Sequence, residues 1–301
     1  MLRSHPRISI PPGESHFFVP ILQRANEFGN LEDENGLREV LDAMERLAPR
    51  FFAKELLGVE FDSRKLAGEM HQAGVRSVAK VIRHLFDLNA HGEGKARWGD
   101  KTPYYSLHIP LLSREFPDAQ FIHIVRDGRD CALSMLERRF DLGIYTTYHA
   151  ADIWKHYVDS AHGNAAALGP SRYLEFRYED LLEAPEPTMR AICDFLGEEF
   201  DISVVDYQKT QNAGATPLLQ KPVQRANKEK WRTRMSGRAI ALFESVSSET
   251  LARHGYPLAA KPHRLSFLRQ TLNKIIIRLM RFFNIAIRPH MLKLSRQKKT
   301  H

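Results

Sequence analysis

Leu37, Val40, Leu41, Met44 and Leu47 recur at the three- and four-residue spacing of one helical face, so an amphipathic helix is predicted from near Asn35. Asp62 is placed to cap a second helix. A third is predicted over Val78 to Leu88, with Val81, Ile82, Leu85 and Phe86 on one side, and the stretch HGEG (His91 to Gly94) breaks it. WGDKTP (Trp98 to Pro103) reads as a short strand entering a loop, and Tyr104 to Phe116 as helical. Gln120 to Val125 is a short apolar run after a Phe-Pro-Asp turn, the pattern of a buried strand, and a helical pattern starts at once and runs to about Arg139. Arg172 to Phe176 is a second strand candidate. Helices are predicted over Ala150 to Leu168, Ala184 to Leu196 and Arg238 to Arg253, with an irregular connection over Asn212 to Ala226. Helices alternating with few, short, apolar strands predict an α/β domain with a short parallel sheet. Ligands of such domains bind beyond the carboxyl ends of the strands.

Composition narrows this picture. Hydrophobic residues make up 43% and charged residues 27% of 301 positions, as in an ordinary soluble domain. The formal charge of +8 is unevenly spread: Thr250 to His301 holds twelve Lys or Arg and no acid, leaving 32 basic against 36 acidic residues elsewhere, a net of −4. The basic balance describes a tail, and a nucleic-acid partner is not expected. Cys131 and Cys193 fall in predicted helices, where buried thiols are expected rather than a disulfide. No HExxH or comparable spacing occurs, so no metal is expected. No run approaches the ~18 apolar residues of a spanning helix, and the first residues lack a signal-like apolar core, so a cytoplasmic location is expected.

The most informative stretch is FPDAQFIHIVRDGRDCALSM (Phe116 to Met135), where a strand pattern stops at Arg-Asp-Gly-Arg-Asp and a helix pattern starts. Free N–H groups and the helix dipole favour an anion at such a junction, and a guanidinium can grip a phosphate through two hydrogen bonds. Ser134 lies eight residues after Arg126, about two helical turns, and Arg138 four further on much the same face. Arg126, Ser134 and Arg138 can therefore converge on one phosphate. Equally, Arg126 and Arg129 can pair with Asp127 and Asp130 in a structural ion network.

These residues resemble the 3′-phosphate-binding segment of sulfotransferases that use 3′-phosphoadenosine 5′-phosphosulfate (PAPS), above all the protein-tyrosine sulfotransferase and bacterial branch. Further blocks follow in the family's order: SHPRISIPPGESHFFVPIL (Ser4 to Leu22), WGDKTP, RYEDLLEAP (Arg177 to Pro185), QKPVQRANKEKW (Gln220 to Trp231) and HGYPL (His254 to Leu258). The resemblance implies a three-layer α/β domain like that of P-loop NTPases over residues 1–260, followed by a basic helix and tail over 261–301. It implies an enzyme that moves a sulfonate from PAPS to a hydroxyl or phenol acceptor, releases 3′,5′-ADP and uses no metal. A non-catalytic nucleotide-binding or interaction protein of the same descent is the alternative.

The resemblance also assigns roles. Arg126 and Ser134 match the residues that hold the donor's 3′-phosphate, and Arg138 matches a basic contact of the tyrosine-sulfotransferase branch. Lys101 matches the lysine that assists the leaving group; otherwise it is a surface lysine. Pro103 stands where some family members have a catalytic histidine, so the acceptor's base is sought elsewhere. Glu14 matches the early glutamate proposed as base, with His16 as the neighbouring candidate and a helix-start carboxylate as the structural reading. Tyr178 matches a residue near the nucleotide, or is a half-buried aromatic. Lys230 matches a lysine near the 3′-phosphate, or is a solvated charge.

One family feature does not occur in this sequence: an opening apolar strand with a glycine-rich phosphosulfate loop. Without it the first strand of the sheet and half of the donor site are expected to be lacking, and activity of the chain as given is expected to be impaired. In the tail, Leu265, Leu268, Leu272, Ile275, Ile276, Leu279, Phe282 and Phe283 recur at helical spacing among Arg269, Lys274, Arg278 and Arg281. Such a helix either docks on its own domain or lies on an anionic membrane surface as a peripheral contact.

Overall fold

The computed structural model describes residues 1–210, 221–224, 226–259 and 265–282. Its elements are β1 (Ile8–Ser9), α1 (Phe18–Gln23), α2 (Glu34–Leu47), α3 (Pro49–Lys54), α4 (Ser63–Gln72), α5 (Val78–Gly92), β2 (Arg97–Trp98), α6 (Ile109–Glu115), β3 (Phe121–Val125), α7 (Gly128–Glu137), α8 (Arg139–Leu142), α9 (Thr147–Gly163), α10 (Ala165–Leu168), β4 (Tyr173–Arg177), α11 (Tyr178–Glu183), α12 (Pro185–Leu196), α13 (Trp231–Arg234), α14 (Gly237–Arg253) and α15 (Phe267–Phe282). A 3-10 turn over Pro103–His108 precedes α6. The irregular connection predicted over 212–226 and the last tail residues fall largely outside the described residues.

Local chemistry sets the helix starts. Asp33 caps α2 by accepting from the Gly36 N–H, Asp62 caps α4 by accepting from Arg64 and Lys65, and Ser77 caps α5 by accepting from Lys80. Each satisfies N–H groups that the helix itself leaves unpaired, worth about 1 kcal/mol apiece. Pro49 and Pro185 open α3 and α12, where a missing N–H costs nothing.

Among the described residues the strands form two separate pairs rather than one sheet. β1 runs parallel to β2, with Ile8 opposite Arg97 and Ser9 opposite Trp98. β3 pairs with β4. The burial expected for β3 holds only at Val125; Ile124 is 46% exposed, because a two-stranded pair covers less of a strand than a wide sheet does.

The chain divides into two compact units. The first takes Met1–Phe121, Asn164–Leu174 and the described part of Ala184–Val223; the second takes Ile122–Gly163, Glu175–Glu183 and the described part of Gln224–His301. In the first, Leu37, Val40, Leu41 and Met44 of α2 and Val81, Ile82, Leu85 and Phe86 of α5 are fully buried, while Leu47 is exposed. They pack around Phe17, Phe18, Phe51 and Phe52, where edge-on pairs such as Phe17–Phe51 and Phe18–Phe86 suit the ring quadrupoles and Phe51 stacks on Phe86. In the second, Val125, Ala132, Trp154, Val158, Phe243 and Leu251 make a smaller core. Gly128 starts α7 against that core: a Cβ there would come within 2.4 Å of Trp154 and 2.6 Å of Phe243. Both cysteines are free, and burial pushes the Cys131 thiol up to about 12.

The tail helix forms as α15, but the docking that would bury its apolar stripe is not what the structure shows. Leu268, Leu272, Ile275, Leu279 and Phe282 are all exposed. Phe283 lies outside the described residues.

Candidate functional site

In the first unit two of the sequence blocks are bonded together. Beyond the β1–β2 pair, the Gly99 N–H donates to the Ser9 carbonyl at 2.8 Å, and the Ser15 N–H donates to Thr102 Oγ1 at 3.0 Å. The Tyr105 hydroxyl accepts from the Phe18 N–H at 2.9 Å and bonds Ser15 Oγ at 2.8 Å. This scaffold holds Glu14 and Lys101 side by side: Lys101 Nζ donates to Glu14 Oε1 at 2.6 Å. His16 Nε2 lies 3.0 Å from the other carboxylate oxygen. The two alternatives for the base thus sit on one carboxylate, within reach of the proposed acid. His16 has φ +56°, a left-handed conformation that costs a non-glycine residue of order 1 kcal/mol and is concentrated at functional segments.

Asp100 escaped the sequence reading, although it lies inside WGDKTP. Both of its oxygens are buried without a well-formed hydrogen bond. Burial pushes its pKa up to about 6, while Thr102, Ser15, Lys101 and His16 pull the other way. A buried carboxylate with a raised pKa beside a lysine makes this segment a candidate functional one.

In the second unit the two arginines of RDGRD part company. Arg129 is fully buried, 2.7 Å from Asp127, 2.6 Å from Glu244, bonded to the Pro257 carbonyl and stacked 3.6 Å from the centre of the Trp231 ring. It is the structural ion network. Arg126 sits at its edge: it pairs with the buried Asp130 at 3.7 Å, and one of its nitrogens donates to the Asn227 carbonyl at 2.9 Å. Its guanidinium lies 4.8 Å from the centre of the Tyr178 ring, and its Nε is buried without a partner. The Tyr178 hydroxyl accepts from Asn227 Nδ2 at 2.8 Å. A buried guanidinium N–H with no acceptor fits an anion. In the sequence, Asn227 is marked only by its place in the QKPVQRANKEKW block.

Ser134 is exposed on α7, and Arg138, also exposed, follows one turn later with its N–H on the Ser134 carbonyl at 3.3 Å. The structure therefore stacks these two. Lys230 is exposed at the start of α13, after Glu229, which has φ +56°. The segment is held because the Trp231 N–H donates to Asp130 Oδ1 at 2.9 Å. Lys101 and Glu14 belong to the first unit, and Arg126, Ser134, Arg138, Tyr178 and Lys230 to the second.

The remaining blocks lock together around RDGRD. Glu179 of RYEDLLEAP accepts from the Asp127 N–H at 3.1 Å and from the Tyr256 hydroxyl of HGYPL at 2.7 Å. Burial and that carboxylate raise the Tyr256 pKa far above the ordinary phenol range. Close by in the chain, Glu175 of β4 meets His123 at 2.9 Å, His162 at 3.2 Å and His254 at 3.2 Å. Burial opposes the charge on Glu175, yet hydrogen bonds from His123 and His254 hold its pKa well below the usual carboxylate range. His162, Glu175 and His254 are a metal-type donor set, their ligand atoms lying within 4.8 Å of one another. Their contacts are direct, with both histidines 3.2 Å from the Glu175 carboxylate.

The solved sulfotransferase domain of the curacin biosynthetic pathway superposes with a TM-score of 0.54 at 19% identity, covering 85% of this chain and 92% of that one. The sulfotransferase domain of the Synechococcus PCC 7002 olefin synthase gives 0.50 at 24% identity, covering 81% and 86%. At these identities the likeness establishes the fold, the α/β fold of sulfotransferases. Residues 1–202 match the model of the Sulfotransferase family, and the chain belongs to that family. It is 29% identical over 236 residues to protein-tyrosine sulfotransferase 2 of Gallus gallus and 27% identical over 236 residues to protein-tyrosine sulfotransferase of Drosophila melanogaster, in each case over 72% of this chain. It spans 62% of the first relative's length and 46% of the second's.

Proposed function

We propose that this chain is a PAPS-dependent sulfotransferase acting on a hydroxyl or phenol, with tyrosine in a peptide favoured by the names of its relatives. The observation that carries the proposal is the contact between Lys101 and Glu14, an acid and a base joined at 2.6 Å on two family blocks. Glu14 takes the proton of the acceptor oxygen as that oxygen attacks the donor sulfur. Lys101 stabilises the bridging oxygen as its bond to sulfur breaks, and 3′,5′-ADP leaves. Like phosphoryl transfer, the step asks mainly for positioning and charge stabilisation. Arg126, with Ser134, Arg138, Tyr178 and Lys230, holds the 3′-phosphate, and Asn227 orients Arg126 and Tyr178. No metal is required.

Titration calorimetry with 3′,5′-ADP against adenosine 5′-phosphate tests the nucleotide site, and transfer of radiolabelled sulfonate to a tyrosine peptide tests the chemistry. Preference for the 3′-phosphorylated nucleotide together with transfer is the expected result. Binding without transfer, also on a chain lengthened by upstream-encoded residues, assigns a non-catalytic nucleotide-binding protein. Equal binding of both nucleotides removes the 3′-phosphate site.

A further inference from the structure

α15 abuts α9, and its half-buried residues are Asn273, Ile276 and Ile277. Turned away from that side, Leu268, Leu272, Ile275, Leu279 and Phe282 follow one another at alternating steps of four and three, one continuous stripe of a helix. They are between 46% and 79% exposed. Scattered exposed leucines need no explanation, but an aligned stripe of five does. Arg269, Lys274 and Arg278 are exposed on the same helix, and no acidic residue occurs anywhere from Thr250 to His301.

We propose that α15 is a docking surface for an anionic lipid bilayer, lying in the membrane plane with its apolar stripe among the acyl chains and its basic residues at the headgroups. Charge decides between the occupants. A second copy of α15 would bring like charges together, with no acid to pair across the seam. An anionic leaflet offers the opposite charge, and each Lys or Arg near such a surface contributes to attraction. No described helix is long and apolar enough to cross a membrane, so the helix lies on the surface.

Co-sedimentation of the full chain with phosphatidylcholine vesicles and with phosphatidylcholine–phosphatidylserine vesicles is the test. The chain pellets with the anionic vesicles, and salt releases it. Leu272→Glu combined with Leu279→Glu lowers partitioning at least about tenfold, and Lys274→Glu combined with Arg278→Glu does the same. The substituted side chains are exposed, so an unchanged melting temperature certifies the fold. Equal pelleting with neutral vesicles, or binding that survives both double variants, overturns the proposal. So does self-association abolished by Leu272→Glu and Leu279→Glu in a chain that ignores vesicles, which would assign the stripe to a second copy.

Discussion

Lys101 Nζ and Glu14 Oε1 stand 2.6 Å apart although 87 residues separate them in the chain. Each occupies the other, so on the proposed mechanism an anionic donor nucleotide competes with Glu14 for Lys101. Both side chains are substantially exposed, so the contact adds little to stability. Glu14→Gln is therefore expected to lower kcat by about a hundredfold or more, with melting unchanged and 3′,5′-ADP affinity intact. An unaltered kcat in this variant would leave His16 as the base.

The two arginines of RDGRD should respond in opposite ways. Arg129→Met strands Asp127 and Glu244 in a dry site and is expected to cost about 3–5 kcal/mol in urea unfolding. Arg126→Ala is expected to cost less than about 1 kcal/mol of stability while weakening 3′,5′-ADP roughly 10- to 100-fold by calorimetry. If both variants simply unfold, Arg126 is structural as well.

Asp100 sets a pH dependence whose sign follows from its raised pKa. Between about 3.8 and about 6 the unfolded chain has released this proton and the folded chain still holds it. Stability from this residue is thus greatest below that window and falls as pH rises through it, by about 3 kcal/mol at most above pH 6. Asp100→Asn is expected to flatten this slope and to raise the urea midpoint at pH 7.5. A variant with an unchanged slope would show that the carboxylate is solvated.

Gly128 has no room for a methyl group beside Trp154 and Phe243. Gly128→Ala should destabilise by about 1–3 kcal/mol through overpacking and shift the near-UV circular dichroism of Trp154. A silent substitution would mean that the start of α7 can slide away from the core.

Much of this was readable from periodicity and caps. Asp62 and its helix, the end of β3 at Val125, and the buried face of α2 follow from residues within a few positions of one another. What was unreadable is long-range. The spacing of Arg126 and Arg129 left open which one is structural; Glu244 and Pro257 decide it, more than a hundred positions away. Asn227 and Asp100 owe their standing to partners or burial that no local pattern encodes. The histidines around Glu175 come from β3, α9 and the end of α14, so no motif spacing could announce them. For the tail, periodicity gave the helix but not which way its apolar stripe faces.

The bonds from Asp127 to Glu179 and from Glu179 to Tyr256 make the signature strings of this chain mutually dependent struts. Lys101 and Glu14 take no part in that bracing. A descendant that swapped either of them would keep its architecture and its recognisable strings and, on the roles proposed for this pair, would lose only the chemistry. An intact RDGRD therefore reports that the fold is present, and on the proposed mechanism it is the lysine–glutamate contact that reports whether the chemistry is.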